Sequence, residues 1–291
     1  MSKVGVVADT AASIPEDLIK EYEINMIPLL SVFSDKTYRD RVDLQEASQL
    51  FKLIDKADKF PTSSAPSPAD YLSFYRKLSQ KKVDNILCVT ISSAMSMCLK
   101  AATLAKEMAQ KELPAVKIEI FDSRTTVGGF GLIVLAAARA AAEGKDLAQV
   151  IKAASEVRDK VNCIFLFDTL SYLAKSGRVG RGRALMGNIL SIKPIVEVPP
   201  STGVVEPVTR VRTRPKAIKH LMEIARRRSK PGDRLHFLVE HTVSADEAEK
   251  LKQMLSEEFN CAEVLLCDTQ PVAALITGPK NITLSFYSDS A

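Results

Sequence analysis

The stretch Val4-Gly5-Val6-Val7-Ala8-Asp9-Thr10-Ala11-Ala12-Ser13 joins a short apolar strand to a loop of small and hydroxyl-bearing residues. Ser13-Ile14-Pro15-Glu16 follows and reads as a capping box that opens a helix. The arrangement recurs downstream. Ile86-Leu87-Cys88-Val89-Thr90-Ile91 leads through Ser92-Ser93 to a helical stretch from about residue 95 to 110. Val116-Lys117-Ile118-Glu119-Ile120-Phe121 leads through Asp122-Ser123-Arg124 to a Gly- and Ala-rich helix ending near Ala142. Strands alternating with helices of this length predict a parallel sheet covered on both faces.

In open parallel sheets the ligand crevice lies beyond the carboxyl ends of the strands. Those ends carry Asp9, Thr10, Ser92, Ser93, Asp122 and Ser123, and the loop Pro61-Thr62-Ser63-Ser64-Ala65-Pro66-Ser67-Pro68 adds more hydroxyls. Histidine is absent from this half. A serine nucleophile needs a base, and no G-x-S-x-G elbow or triad motif is present. Hydroxyls without a base point to binding of an anion or carboxyl group. Capping accounts for Ser13 and Ser67, but one cap uses only one hydroxyl of the pair Ser92-Ser93.

Past residue 160 the pattern changes. Residues 161–167 read as a strand and Leu170 to Arg178 as a short helix stopped by glycine. Further strands are expected over 194–198, 204–211, 235–241, 262–267, 272–276 and 282–286, with helices over 214–228 and 244–259. The fold class is therefore α/β in two domains. Residues 1–160 form a three-layer α/β/α unit with a parallel sheet and hydroxyl-rich loops. Residues 161–291 form an α/β unit with a mixed sheet, and the site is the cleft between them.

Two basic segments invite a ligand. Ser176-Gly177-Arg178-Val179-Gly180-Arg181-Gly182-Arg183 sets arginines among glycines, so it reads as a close-approach anion site or as a solvated loop. Arg210-Val211-Arg212-Thr213-Arg214 reads as an exposed strand face, open to an acidic partner or phosphate, with Val208 and Val211 turned inward. Asp9 and Asp122 serve better as ties between loops than as metal ligands, since no set of close carboxylates accompanies them. Gly128, Gly129, Gly131 and Ala136 to Ala138 leave room for a ligand tail or for tight helix packing.

Composition sets the outer bounds. The chain has 291 residues, 46% hydrophobic and 26% charged, with a formal net charge of +5. That balance suits a globular protein with a core of useful size. The cluster Arg226-Arg227-Arg228 with Lys230 lacks interleaved aromatics, so nucleic acid is not expected. Five spaced cysteines without a C-x-x-C pair predict free thiols in a reducing cytoplasm, and three histidines make a zinc site unexpected. Met1-Ser2-Lys3-Val4 leads straight into a strand, so no signal peptide is expected. The run from Val127 to Ala138 is too short to span a bilayer.

In order along the chain these residues resemble the DegV family of bacterial proteins. Asp9-Thr10 through Asp17-Leu18 is similar to its D-S-x-x-D-L opening. Thr62 to Pro68 resembles its T-S-Q-P-S loop, and Ile91 to Ser96 its I-S-S-x-L-S-G-T segment. Asp122-Ser123 with Gly128-Gly129-Phe130-Gly131-Leu132 matches the next block. Asp168-Thr169-Leu170, Tyr172-Leu173, Gly177-Arg178-Val179, Leu185-Met186-Gly187 and Ile192-Lys193-Pro194-Ile195 form the most specific stretch, continued by Arg210 to Thr213. Thr277-Gly278-Pro279 resembles the late H-T-G-P-G motif, with Ile276 in place of the histidine and Lys280 in place of the second glycine. Ser96-Met97-Cys98 replaces S-G-T.

The resemblance implies a lipid carrier, not an enzyme, with no cofactor beyond a bound long-chain fatty acid. It implies that the carboxyl group is held by Thr62, Ser63, Ser92, Ser93, Thr277 and Gly278, with Thr62 and Ser93 foremost. Arg178, Arg181 and Arg212 stand at the entrance, where an ATP-dependent fatty acid kinase subunit forms the acyl phosphate. Transient contact with a membrane surface is also implied. Burying an alkyl chain gains about 0.8 kcal/mol per methylene, so roughly fifteen methylenes gain on the order of 12 kcal/mol before ordering costs. The competing reading is a phosphotransferase or hydrolase at the same cleft, by fold-level analogy with dihydroxyacetone kinase substrate domains.

Overall fold

The computed structural model describes residues 3–185 and 192–289. Met1, Ser2, Met186 and Gly187 of the quoted segments lie outside the described residues. The first half runs β1 (Val4–Asp9), α1 (Glu16–Glu21), β2 (Asn25–Ile27), β3 (Leu30–Val32), β4 (Thr37–Arg39), α2 (Ala47–Ile54), β5 (Thr62–Ser64), α3 (Pro68–Gln80), β6 (Asn85–Thr90), α4 (Cys98–Glu112), β7 (Lys117–Asp122), α5 (Val127–Ala142) and α6 (Leu147–Arg158). The second half runs β8 (Asn162–Leu166), α7 (Ser171–Lys175), a 3₁₀ turn (Gly180–Leu185), β9 (Lys193–Glu197), β10 (Glu206–Val211), α8 (Arg214–Arg228), β11 (Leu235–His241), α9 (Ala245–Glu258), β12 (Cys261–Asp268), α10 (Pro271–Thr277) and β13 (Ile282–Ser288).

The expected parallel sheet is present, in the order β2-β1-β6-β7. Every residue of β1 is buried, as a strand covered on both faces must be. The second sheet is mixed, in the order β10-β9-β8-β13-β11-β12, with only the β11–β12 pair parallel. A small antiparallel sheet, β4-β3-β5, carries the serine-rich loop. A bulge between Pro207 and Thr209 lets Val208 and Val211, three apart, both turn toward the second sheet's core.

Helix α5 is packed between the two sheets, and its glycines mark contact rather than room. A Cβ on Gly131 would sit 2.0 Å from the Ser13 carbonyl oxygen, and one on Gly128 would sit 2.8 Å from the Ser285 hydroxyl. Tight packing, not space for a ligand tail, is what these glycines provide.

Two local expectations are corrected. Residues 272–276 are helix, not strand: Gln270 is extended, Pro271 takes the first helical position, and Asp40 accepts from the Val272 N–H. A short apolar run carries no period that separates the two states, and tertiary capping decided. Ser13 does not cap α1, where Pro15 stands at the cap without a side-chain bond. Its hydroxyl donates instead to Glu240 in the other half, 2.7 Å away. Ser67 does cap α3, in a reciprocal box with Asp70.

Candidate binding cavity between the two sheets

The strand-end loops of the parallel sheet are tied to each other and to the second half. Asp122 accepts from the Ser93 hydroxyl at 2.5 Å and from the backbone N–H groups of Ser93 and Arg124. Asp9 reaches across to the N–H of Ile91 at 2.9 Å. Ser92 donates to the Gly203 carbonyl at 2.6 Å, and Thr125 donates to the Val198 carbonyl at 3.1 Å. Glu240 receives both Ser13 and the Gly128 N–H near the start of α5. Burial pushes its carboxyl up to about 7.

Between these stitches lies a cavity of ≈ 430 Å³, inside the range of about 300–1,000 Å³ usual for small-ligand sites. One wall belongs to the second sheet and its loops: Phe165, Phe167, Val196, Val198 and Val205. Phe165 and Phe167 project from the same face of β8 and its extension, with rings stacked 5.6 Å apart. Helix α10 contributes Val272, Ala273, Ile276 and Thr277, and α7 contributes Leu173. The first half supplies Ala11, Leu29, Ile91, Met95, Met97, Ala101 and Leu104.

The polar part of the lining is small. It comprises the hydroxyl-bearing residues Ser63, Ser64, Ser96, Thr126 and Thr277, with Lys100 and Arg178. No carboxylate is among the described lining residues, and neither cation has an ion pair among the described residues. An apolar body with hydroxyls and unpaired cations suits an anionic amphiphile. Among the described residues no cluster could hold a metal ion.

The expected site residues separate in space. Ser63 and Thr277 line the cavity, and Arg178 lines it with its guanidinium donating to the Ser176 carbonyl. Thr62 is exposed and lies outside the lining. Ser92 and Ser93 lie outside it too, their hydroxyls engaged by Gly203 and Asp122. Gly278, at φ +76°, seats the Tyr172 ring, which a Cβ would meet at 2.7 Å. Arg181 pairs with Glu206 at 2.9 Å, and Arg212 is exposed beyond the end of β10.

Ser64, Ser96, Lys100 and Thr126 line the cavity without being among the residues expected to hold the carboxyl group. A signal existed for the first two. Pairing the T-S-Q-P-S loop from its Pro-Ser end sets Ser63 and Ser64, not Thr62 and Ser63, against its threonine and serine. The second serine of I-S-S-x-L-S-G-T falls away from the cavity, and the third, Ser96, falls in its wall.

A parallel sheet and a mixed sheet enclosing a largely apolar cavity lined in part by hydroxyls define the architecture as α/β. The sequence profile of the DegV family, a family of uncharacterised proteins, matches residues 3–289. The chain belongs to the DegV family. It is 31% identical over 287 residues to a DegV domain-containing protein of Clostridium perfringens, covering 99% of each chain. Against a DegV family protein of Thermus thermophilus, described for its fatty acid binding, the TM-score is 0.89 at 27% identity, covering 98% of this chain and 99% of that one. Against DegV of Bacillus subtilis, a fatty acid binding protein, the TM-score is 0.87 at 26% identity, covering 99% of this chain and 100% of that one. No helix among the described residues is long and apolar enough to cross a membrane.

Proposed function

We propose that this protein is a carrier that holds one long-chain fatty acid in the cavity between its two sheets, without turning it over. The division falls near residue 160, with residues 1–160 supplying the head-group loops and residues 161–291 closing over the tail. The carboxyl group sits among the hydroxyls of Ser63, Ser64, Ser96 and Thr277, with Lys100 and Arg178 as nearby cations. In this reading Thr62, Ser92, Ser93 and Gly278 support that end from behind. The observation that carries the proposal is an apolar lining that includes hydroxyls and two cations, with no carboxylate among the described lining residues. A buried carboxylate is tolerated only when fully hydrogen-bonded, and such a lining meets that need.

The carrier presents the carboxyl group to an ATP-dependent fatty acid kinase subunit, which forms the acyl phosphate. Arg178, Arg181 and Arg212 are the proposed entrance and docking residues. The work is done in the cytoplasm, where the five cysteines stay free thiols. Transient contact with a membrane surface fits the exposed Met97, just ahead of α4, and Leu104 and Met108 on it, beside the cavity's Lys100.

Native mass spectrometry of the purified chain tests the carrier role. One fatty acid per chain, released on denaturation, is expected. Protein that is empty and takes up no added fatty acid contradicts it. Turnover of ATP by the chain alone would also contradict the carrier reading.

A further inference from the structure

Directly behind the cavity wall, two carboxyl groups are sealed in with no ion pair among the described residues. Asp9 is 0% exposed and Asp40 is 1% exposed. Asp9 accepts the N–H of Ala11 at 3.2 Å and of Ile91 at 2.9 Å, and both donors are lining residues. Asp40 accepts the N–H of Val272 at 3.0 Å, another lining residue. It also accepts from the Thr10 hydroxyl at 3.0 Å, which in turn accepts the N–H of Leu29, again in the lining. Asp9 extends toward the head-group end as well. It takes a hydrogen bond from the Cys98 thiol, whose sulfur receives the Ser96 hydroxyl at 3.1 Å.

The charged and titratable surroundings are sparse. Asp9 faces the Cys98 and Cys88 thiols, the Tyr71 phenol and Asp40. Asp40 faces Asp9 and Arg41, and Arg41 is ion-paired with Glu16. Across the wall stand Lys100 and Arg178. Burial, more than any neighbour, pushes both carboxyls up to about 7. It pushes the Cys98 thiol up too, so that the thiol stays protonated at neutral pH.

We propose that Asp9 and Asp40 are positioning residues of the head-group wall and that they couple binding of an anionic ligand to uptake of a proton. The inference rests on the cavity being the ligand site. Charges inside a protein act through a low effective dielectric. An anion in the cavity and an ionised carboxylate behind its wall therefore disfavour one another. When the anion enters, the pair takes up to one proton from solvent, which offsets the added charge. By reciprocity, affinity for an anion rises as pH falls from 8 toward 6, and ligand release is favoured on the alkaline side.

The test is calorimetric titration of the full chain with hexadecanesulfonate at pH 7 in buffers of different ionisation heat. The sulfonate stays ionised throughout, so any proton taken up comes to rest on the protein. The expected result is uptake of about 0.5–1 proton per ligand, and an affinity that falls roughly tenfold between pH 6 and pH 8. Asp40→Asn is expected to lower the uptake about twofold. Glu240→Gln, whose partners Ser13 and Gly128 do not line the cavity, is expected to leave it unchanged.

Tight binding with no buffer dependence overturns the inference and leaves the carrier reading standing. Failure of both hexadecanesulfonate and hexadecanoate to bind overturns the carrier reading itself. If only hexadecanoate binds, its pH dependence in wild type and in Asp9→Asn decides, and identical profiles overturn the coupling.

Discussion

Two serine groups in the first half look alike in sequence and differ in what they face. Ser92-Ser93 ends a buried strand, which is where a parallel sheet places its ligands. Both hydroxyls are nevertheless engaged, one by the Gly203 carbonyl and one by Asp122. Ser63, in the short sheet β4-β3-β5, and Ser96, just ahead of α4, sit in the cavity lining. Ser92 and Ser93 give their protons to oxygen acceptors outside the lining, whereas Ser96 lines the cavity and gives its proton to the Cys98 sulfur, a weaker acceptor; position at a strand end is therefore a weaker guide than what the hydroxyl faces.

The largest effect is expected at the apolar wall supplied by the second sheet. Val196→Phe fills cavity space worth roughly four methylenes of chain. Affinity for a sixteen-carbon acid is expected to fall more than about 100-fold, with short acids nearly unaffected. Equal loss at all lengths in a fluorescence displacement assay would show that Val196 does not border the tail.

Next come the serines themselves. Ser96→Ala is expected to weaken fatty acid binding by roughly 10-fold, the scale of one hydrogen bond to a charged group, with little change in Tm. Ser93→Ala is expected to leave affinity within about twofold. The reverse ranking would return the head group to the strand-end pair. Ser92→Ala strands the Gly203 carbonyl, so chemical denaturation should report about 1–2 kcal/mol lost. Its effect on affinity should be smaller than that of Ser96→Ala.

A smaller effect concerns pH. The Glu240 carboxyl is raised from 4.5 to about 7 by burial. An acid whose pKa is raised by folding favours the folded state at low pH and loses that contribution as pH rises through its folded value. Stability attributable to Glu240 is therefore expected to decline between pH 4.5 and about 7. Glu240→Gln should flatten that limb in a pH series of denaturation curves. At the bottom of the scale is Arg181→Ala, which breaks an exposed pair with Glu206. Its cost should be at most about 1 kcal/mol, with fatty acid affinity unchanged.

Much of the fold is legible in the chain because its signals are local. The β1, β6 and β7 strands announce themselves as apolar runs, and Ser67-Pro68 with Asp70 marks the start of α3. What stays hidden depends on partners far away in sequence. Ser13 carries the pattern of a helix cap but serves Glu240, 227 residues on. Residues 272–276 carry the pattern of a strand, yet Asp40 and Pro271 set a helix there. Around the cavity, the presence of hydroxyls is readable and their facing is not: Thr62 and Ser93 stand out in the sequence but lie outside the lining, while Ser96 does not stand out and lies in it.

For a carrier of this kind, an acyl chain must occupy the space lined by Phe165, Val196 and Ala273. The most direct measurement is the binding affinity of a saturated acid series from ten to sixteen carbons at fixed pH and salt. Burial of each added methylene predicts a rise of about fourfold per carbon until the cavity is full. Affinity that does not change with chain length would contradict the account.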